Sequence, residues 1–236
     1  MDKVSSIFAT EIKIEVAKNF WIEAKSASFF CHPSYLIEMG YKFKYFGAYK
    51  GEELLCVWPL LIEQDENLSI PNYSYFFGPF FKHDSADLPS YKSYSNNLQL
   101  INCLIKCVIS ESNNLSFSLL PEFQDIRPFS WWNYNKPDLP KFQIEVRYTA
   151  RLDLSKTISD DDFQNRFRPD DKRKKIKKLR KEEPFISKTN HFKDHNVLVK
   201  LYEDTLARSG ASTTAEDSKI LKKLISLSQT KSPDIN

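Results

Sequence analysis

A mixed α/β fold, with a largely antiparallel sheet and flanking helices, follows from three features of the sequence. Two apolar runs, Phe43–Tyr49 and Leu54–Ile62, flank Lys50-Gly51 at the spacing of a β-hairpin. Tyr91, Tyr94, Leu98, Ile101, Leu104, Ile105 and Val108 recur at three- and four-residue intervals, the buried stripe of a long helix. From Phe142 to Leu154, apolar and polar residues alternate for thirteen positions. That period of two predicts a half-buried strand about twice the usual ~5–6 residues, long enough to join two sheets.

The remaining elements follow in order. Ile12, Ile14 and Val16 alternate with Lys13 and Glu15, predicting a short first strand. Phe20, Trp21, Ala24 and Ala27 fall on one helical stripe. His32-Pro33 opens a second helix with proline in its first turn, and Gly40 closes it. Pro59 cannot donate to a sheet ladder, so its strand is expected at an edge or a bulge. Tyr73–Phe81 reads as a fourth, aromatic strand broken at Gly78-Pro79. Asn113-Asn114 ends the long helix, and Leu115, Phe117 and Leu119 alternate as a fifth strand. A loop-like segment, Pro121 to Pro140, precedes the long alternating stretch.

The order then restarts. A helical region spans Asp160 to Glu183, with a short strand near Phe185–Ser187. A helix carrying Val197, Leu201 and Leu206 stops at Gly210, and a last one carries Ile220, Leu221, Leu224 and Ile225. Residues 1–145 therefore read as one complete domain and residues 146–236 as the start of a similar, incomplete one. The Phe142–Leu154 strand is their joint.

Composition limits the function classes. The chain has 236 residues, is 41% hydrophobic and carries 18 Phe and 11 Tyr, enough for a substantial core and against disorder. Net charge is +3, so whole-molecule attraction to nucleic acid or membrane is weak and any such attraction is local. Cys31, Cys56, Cys103 and Cys107 form neither a secreted disulfide framework nor a complete zinc set, and read as buried thiols. His32, His83, His191 and His195 have no spaced partner that would make a catalytic triad. With no signal-peptide pattern and no apolar run near the ~20 residues that span a bilayer, a cytoplasmic protein is expected.

The local exception is residues 172–181, Lys-Arg-Lys-Lys-Ile-Lys-Lys-Leu-Arg-Lys, with eight basic residues in ten. Pro169-Asp170-Asp171 suits the start of a helix there, since carboxylates stabilise its N-terminus. Arg173, Lys177 and Arg180 share one helical face. Such a face is either a solvated surface with lysine stems over apolar neighbours, or a clamp for phosphate or diphosphate in which arginine is the better fork. Trp131, Trp132, Tyr134 and Tyr148 are either core aromatics or the lining of a cleft that stacks on a sugar or base.

Three blocks carry a family resemblance. They are Pro128-Phe129-Ser130-Trp131-Trp132-Asn133-Tyr134, then Arg147-Tyr148-Thr149-Ala150-Arg151-Leu152-Asp153-Leu154, then Phe163, Arg173, Ile176 and Lys177-Lys178. With the order of elements, they resemble the FemAB-like branch of the GNAT acyltransferases, whose members carry tandem GNAT domains. Cys31-His32-Pro33-Ser34-Tyr35-Leu36 looks like the first-domain helix of that family and brings Tyr35 into the candidate site. The resemblance implies transfer of an acyl or aminoacyl group to an amine. It implies acyl-CoA or aminoacyl-tRNA as donor and a nucleotide-sugar or lipid-diphosphate-linked acceptor, with tRNA as a possible partner. The substrate-binding set it suggests is Arg173, Lys177, Arg180, Trp131, Trp132, Tyr148 and Tyr35, and it names no catalytic residue.

The sequence also departs from the family. GNAT domains hold the CoA pyrophosphate on free amides of a glycine-rich turn entering a helix. Here Gly40, Gly47, Gly51, Gly78 and Gly210 are scattered. The first domain is therefore expected to bind no CoA, and the matching turn of the second would lie beyond Asn236. On that reading no cofactor is assigned to this chain, and alone it is not expected to catalyse transfer. The alternative is a non-catalytic module docking nucleic acid or an acidic partner through 172–181.

One prediction follows from the basic face. Arg173→Ala should weaken binding of a diphosphate-bearing acceptor roughly ten- to a hundredfold, the loss of one charge-assisted bond. Equal affinities for wild type and variant in titration calorimetry would remove Arg173 from the site.

Overall fold

The computed structural model describes residues 6–24, 27–62, 68–83, 90–112, 114–123, 125–149, 174–175, 178, 195–211 and 214–227. The chain groups into two compact units, Met1–Ile144 with Asp194–Asn236, and Glu145–Lys193. The first carries the sheet. This grouping differs from a division at 145/146 by placing the last two helices with the opening domain.

Five strands form one mixed-length antiparallel sheet: β1 (Ile7–Ile12), β2 (Phe43–Lys50), β3 (Glu53–Ile62), β4 (Leu68–Ser69) and β5 (Phe80–Phe81). The order is β1-β2-β3, with β4 and β5 both pairing the far side of β3. β1 lies on β2 from Ile7 opposite Lys50 to Ile12 opposite Tyr45. Gly51, at φ 63°, makes the β2–β3 hairpin at the place the sequence marks.

Pro59 sits inside β3, opposite Tyr45. Ile62 N–H donates to Lys42 on the β2 side, whereas Leu55 C=O accepts from Lys82 on the β5 side. Groups alternate along a strand, so odd-numbered residues of this stretch face away from β2. The missing N–H of Pro59 thus points into the gap between the stretches paired by β5 (Cys56, Val57) and β4 (Leu61, Ile62). β3 is not an edge strand, and the register shift lies at Ala48/Tyr49, away from Pro59, so the edge or bulge expected at Pro59 is corrected. The proline is tolerated there because its missing donor breaks no ladder bond.

The faces of β3 bury different cores. Tyr45, Val57 and Leu61 pack with Ala17, Phe20, Tyr35, Leu36 and Met39. Phe46, Cys56, Trp58 and Leu60 pack with Leu100, Ile101, Leu104, Ile105, Val108 and Phe129. The first group comes from α1 (Ile14–Glu23) and α2 (Pro33–Met39), the second from α3 (Ser90–Val108) and α4 (Arg127–Ser130). Two more helices, α5 (His195–Arg208) and α6 (Ala215–Leu227), pair with each other, and α6 adds Ile220 to the α1–α2 side. The outcome is helices on both faces of an antiparallel sheet.

Local chemistry explains the helix ends. His32 caps α2 with its own ring: Nδ1 accepts from Ser34 N–H at 3.1 Å, so that nitrogen carries no proton. Gly40 at φ 76° ends α2, with Tyr41 N–H reaching back to Leu36 C=O. At α6, Thr214 and Asp217 exchange bonds reciprocally: Thr214 Oγ accepts from Asp217 N–H and Asp217 Oδ2 accepts from Thr214 N–H.

Several expectations are corrected. The first strand ends at Ile12, and Ile14 and Val16 open α1 as exposed residues. Of the aromatic fourth strand only Phe80–Phe81 pairs in the sheet, with Phe77 bridging Ser118. The fifth strand is reduced to isolated bridges at Leu115 and Ser118. Residues 142–149 form no strand, and the alternating residues Ile144, Val146 and Tyr148 are exposed. Alternation shows which side chains could share a face but supplies no partner; Phe142 alone is drawn in, against Phe117 and Phe129. Residues 150–154 and the strand expected near 185–187 lie outside the described residues.

Phe129 tests the α3 side. It touches Trp58, Phe117, Phe123 and Phe142 with ring centroids 4.8–6.1 Å apart. Phe129→Ala should lower unfolding free energy by about 3–5 kcal/mol, the range for emptying a buried phenylalanine site. A denaturation midpoint matching wild type would contradict this packing.

Candidate functional site

The polar groups drawn together inside the described part of the molecule lie between α2, the turn Pro71–Ser74 and the first turns of α6. Helical spacing puts Tyr35 on the inner side of α2 with Leu36 and Met39, and its ring is fully buried. The hydroxyl of Tyr35 lies 3.2 Å from that of Ser74, itself 7% exposed. Ser74 is placed by a turn in which its N–H donates to Pro71 C=O. Tyr73, one residue earlier, adopts φ 63°, a left-handed position where glycine is the usual occupant. Its ring meets that of Tyr202 of α5 edge to face at 6.3 Å. Tyr41, just past α2, is influenced by both Tyr35 and Glu216, and its hydroxyl is buried with no hydrogen-bond partner among the described residues.

Burial controls the acidity of these groups. It pushes the Tyr41 hydroxyl up to about 12, with Tyr35 and Glu216 adding to the rise. Tyr73 is raised by burial first and then by the neighbouring Tyr202 and Asp217. Tyr35 is raised by burial against the opposing pull of Ser74. All three therefore stay neutral at ordinary pH, able to donate and accept hydrogen bonds but not to act as phenolate bases. Asp217 is held below the usual carboxylate range by its bonds to Thr214 and so stays charged. Nearby Cys31 is buried, and its thiol is pushed up to about 12, which leaves no thiolate nucleophile. Among the described residues no group of three or more His, Cys, Asp or Glu could hold a metal ion.

The residues singled out in sequence fall in three places. Tyr35 joins the hydroxyl cluster, but as a core residue. Trp131 and Trp132 follow α4, on the opposite face of the sheet. Trp131 is 57% exposed with the Arg127 guanidinium over its ring at 5.5 Å, and Arg127 forks onto Asp125 through two 2.7 Å bonds. Trp132 packs partly buried on the Phe129 core. Tyr148 belongs to the second compact unit and is 95% exposed. Arg173, Lys177 and Arg180 lie outside the described residues; their neighbours Lys174, Lys175 and Lys178 are helical and exposed. Cys31 and Cys56 are buried and Cys103 and Cys107 half-buried, all four free.

Sequence reasoning missed Tyr41, Tyr73, Ser74, Tyr202, Glu216 and Asp217. The readable signal was the Thr214-x-x-Asp217 spacing of a capping box, which marks the start of α6 but not what it packs on. No protein-family model, curated protein or solved structure matches the chain.

Tyr35→Phe separates packing from polarity here. It keeps the ring and strands the Ser74 hydroxyl, which should cost about 1–3 kcal/mol of stability. An unchanged denaturant midpoint would show that the Tyr35–Ser74 bond contributes nothing.

Proposed function

We propose that the chain is an N-acyltransferase, or the N-terminal portion of one, that transfers an acyl or aminoacyl group to the amine of an amino sugar or cell-envelope precursor. The donor is acyl-CoA or aminoacyl-tRNA, and the acceptor carries a nucleotide or lipid diphosphate. One observation supports the reading: β1-α1-α2-β2-β3, then β4, β5 and the long helix α3, agrees with the first part of the element order that the resemblance implies, without the strands expected after α3. The Pro128–Tyr134 and Arg147–Leu154 blocks support it from the sequence. In this reading Arg173, Lys177 and Arg180 neutralise the acceptor diphosphate, where charge-assisted bonds are strongest, and Trp131 offers an exposed ring for stacking.

A second reading has its own observation. Lys174, Lys175 and Lys178 are exposed on a helix, as a surface that docks nucleic acid or an acidic partner requires.

Mass spectrometry separates the two. The protein at its natural length, incubated with acetyl-CoA or aminoacyl-tRNA and a panel of amino sugars, should yield an acylated amine only when protein is present. Absence of any product with both donors, together with salt-dependent binding of single- or double-stranded nucleic acid, would replace the enzyme by the binding module.

A further inference from the structure

We propose that β1 is a docking edge for a second copy of this chain, the two β1 strands pairing antiparallel about a two-fold axis at Ala9. This surface is independent of the acyltransferase reading.

β1 stands at the end of the strand order and pairs with β2 alone. The direction of its backbone groups is fixed twice. Gly51 N–H donates to Ser6 C=O, one step before the Ile7–Lys50 pair, so the even-numbered residues of β1 bond to β2. From the other side, Ile62 N–H donates to Lys42 C=O, which turns the groups of Tyr45 away from β3 and onto Ile12, again an even number. The N–H and C=O groups of Ile7, Ala9 and Glu11 therefore point out of the sheet. Among the described residues no backbone group bonds to them, and the Ile7 carbonyl meets only the Cys103 thiol, at 4.0 Å.

Sheet edges are usually blunted by proline, lysine or a bulge. β1 has none of these. It reads Ile-Phe-Ala-Thr-Glu-Ile, rich in the β-branched and aromatic residues that favour strands, and its register on β2 is unbroken from Ile7 to Ile12. Its one charge, Glu11, is balanced from within the sheet by Lys44 at 3.1 Å. Phe8 stacks on its cross-strand neighbour Tyr49 at 5.1 Å and is still 44% exposed.

The pattern along the edge selects a second copy. With Ala9 opposite Ala9 of the other chain, Ile7 stands opposite Glu11 and Glu11 opposite Ile7. Each facing pair exchanges two bonds, so every outward group of both strands is satisfied. An axis at Ile7, Phe8 or Thr10 leaves at least one outward residue of each β1 beyond the end of the other. An axis at Glu11 sets two carboxylates face to face, which is destabilising. The Ala9 axis also brings the two Phe8 rings diagonally across the new pair, within reach of each other, so each copy covers the ring that the other exposes.

Analytical ultracentrifugation and residue-resolved hydrogen exchange on the full chain test this. As concentration rises, the mass should double from 27.6 kDa. The Ala9 and Glu11 amides should gain protection in step, while those of Phe8 and Thr10, already bonded to β2, should not change. Ala9→Pro removes an outward N–H and breaks no bond to β2. It should move the midpoint of dimerisation at least about tenfold higher in concentration, for the two bonds lost across the axis, and leave the circular dichroism unchanged. If Ala9→Pro does not fold, Phe8→Lys, at an exposed position, sets two lysines diagonally across the axis and should raise the midpoint likewise. A wild type that stays monomeric up to its solubility limit overturns the proposal, as does an unchanged midpoint in the folded variant. Full protection of the Ala9 and Glu11 amides in the monomer also overturns it, since another part of the chain would then cover the edge.

Discussion

The pairing of β2 with β3 is the constraint on which the first unit depends. β3 buries Cys56 to Leu61 almost without interruption, and its two faces serve different cores. A strand buried on both faces fixes its register strictly, because a one-residue slip would exchange the two sets of side chains. Val57 and Leu61 would leave the α1–α2 side, and Trp58 would leave Phe117 and Phe129. Pro59 fits because its missing donor faces the gap between β4 and β5. Gly47 serves the same closeness: a Cβ there would stand 2.7 Å from Leu54 Cδ1 and 2.9 Å from Ile12 Cγ2.

Elements whose signals are local were legible in the sequence. The Lys50-Gly51 hairpin, α2 between His32 and Gly40, and the Ile101–Val108 stripe of α3 stand where their residues place them, although Tyr91 at the start of that stripe is exposed and the helix ends at Val108. Those residues carry both the pattern and the chemistry of the ends. Elements needing a distant partner were not legible. Phe142–Thr149 has flawless alternation yet leaves Val146 and Tyr148 in solvent, since periodicity is necessary for a buried strand face and not sufficient. Leu115–Leu119 comes down to isolated bridges at Leu115 and Ser118, the latter to the distant Phe77. Ile14 and Val16 suit either period, and the helix starting at Ile14 takes them.

The same division holds for the candidate site. Tyr35 could be singled out from the Cys31–Leu36 segment, but its role is set by Ser74, which a remote turn delivers. Tyr73, Tyr202 and Asp217 meet only because α5 and α6 fold back onto the opening domain, and no spacing in the chain announces that return. The cluster is also chemically restrained. Burial keeps its tyrosines neutral, so it offers hydrogen bonds rather than proton abstraction, while Asp217 provides a fixed charge at the first turn of α6. The aromatic residues beyond α4 lie on the other face of the sheet. A functional account of this unit thus has two separate surfaces to place, a hydroxyl-rich one under α6 and an exposed indole with its guanidinium beyond α4.

The central claim is the register of β2 against β3, and proton NMR addresses it most directly. The alternation fixed by the Ile62–Lys42 bond makes Phe43–Leu61, Tyr45–Pro59 and Gly47–Val57 the non-hydrogen-bonded pairs, whose α-carbons approach to about 4.5 Å in antiparallel sheets. Strong Hα–Hα cross-peaks for those three pairs are the predicted result. Cross-peaks linking Tyr45 to Leu60 or to Trp58 instead would mean a slipped register, and with it the wrong side chains in both cores.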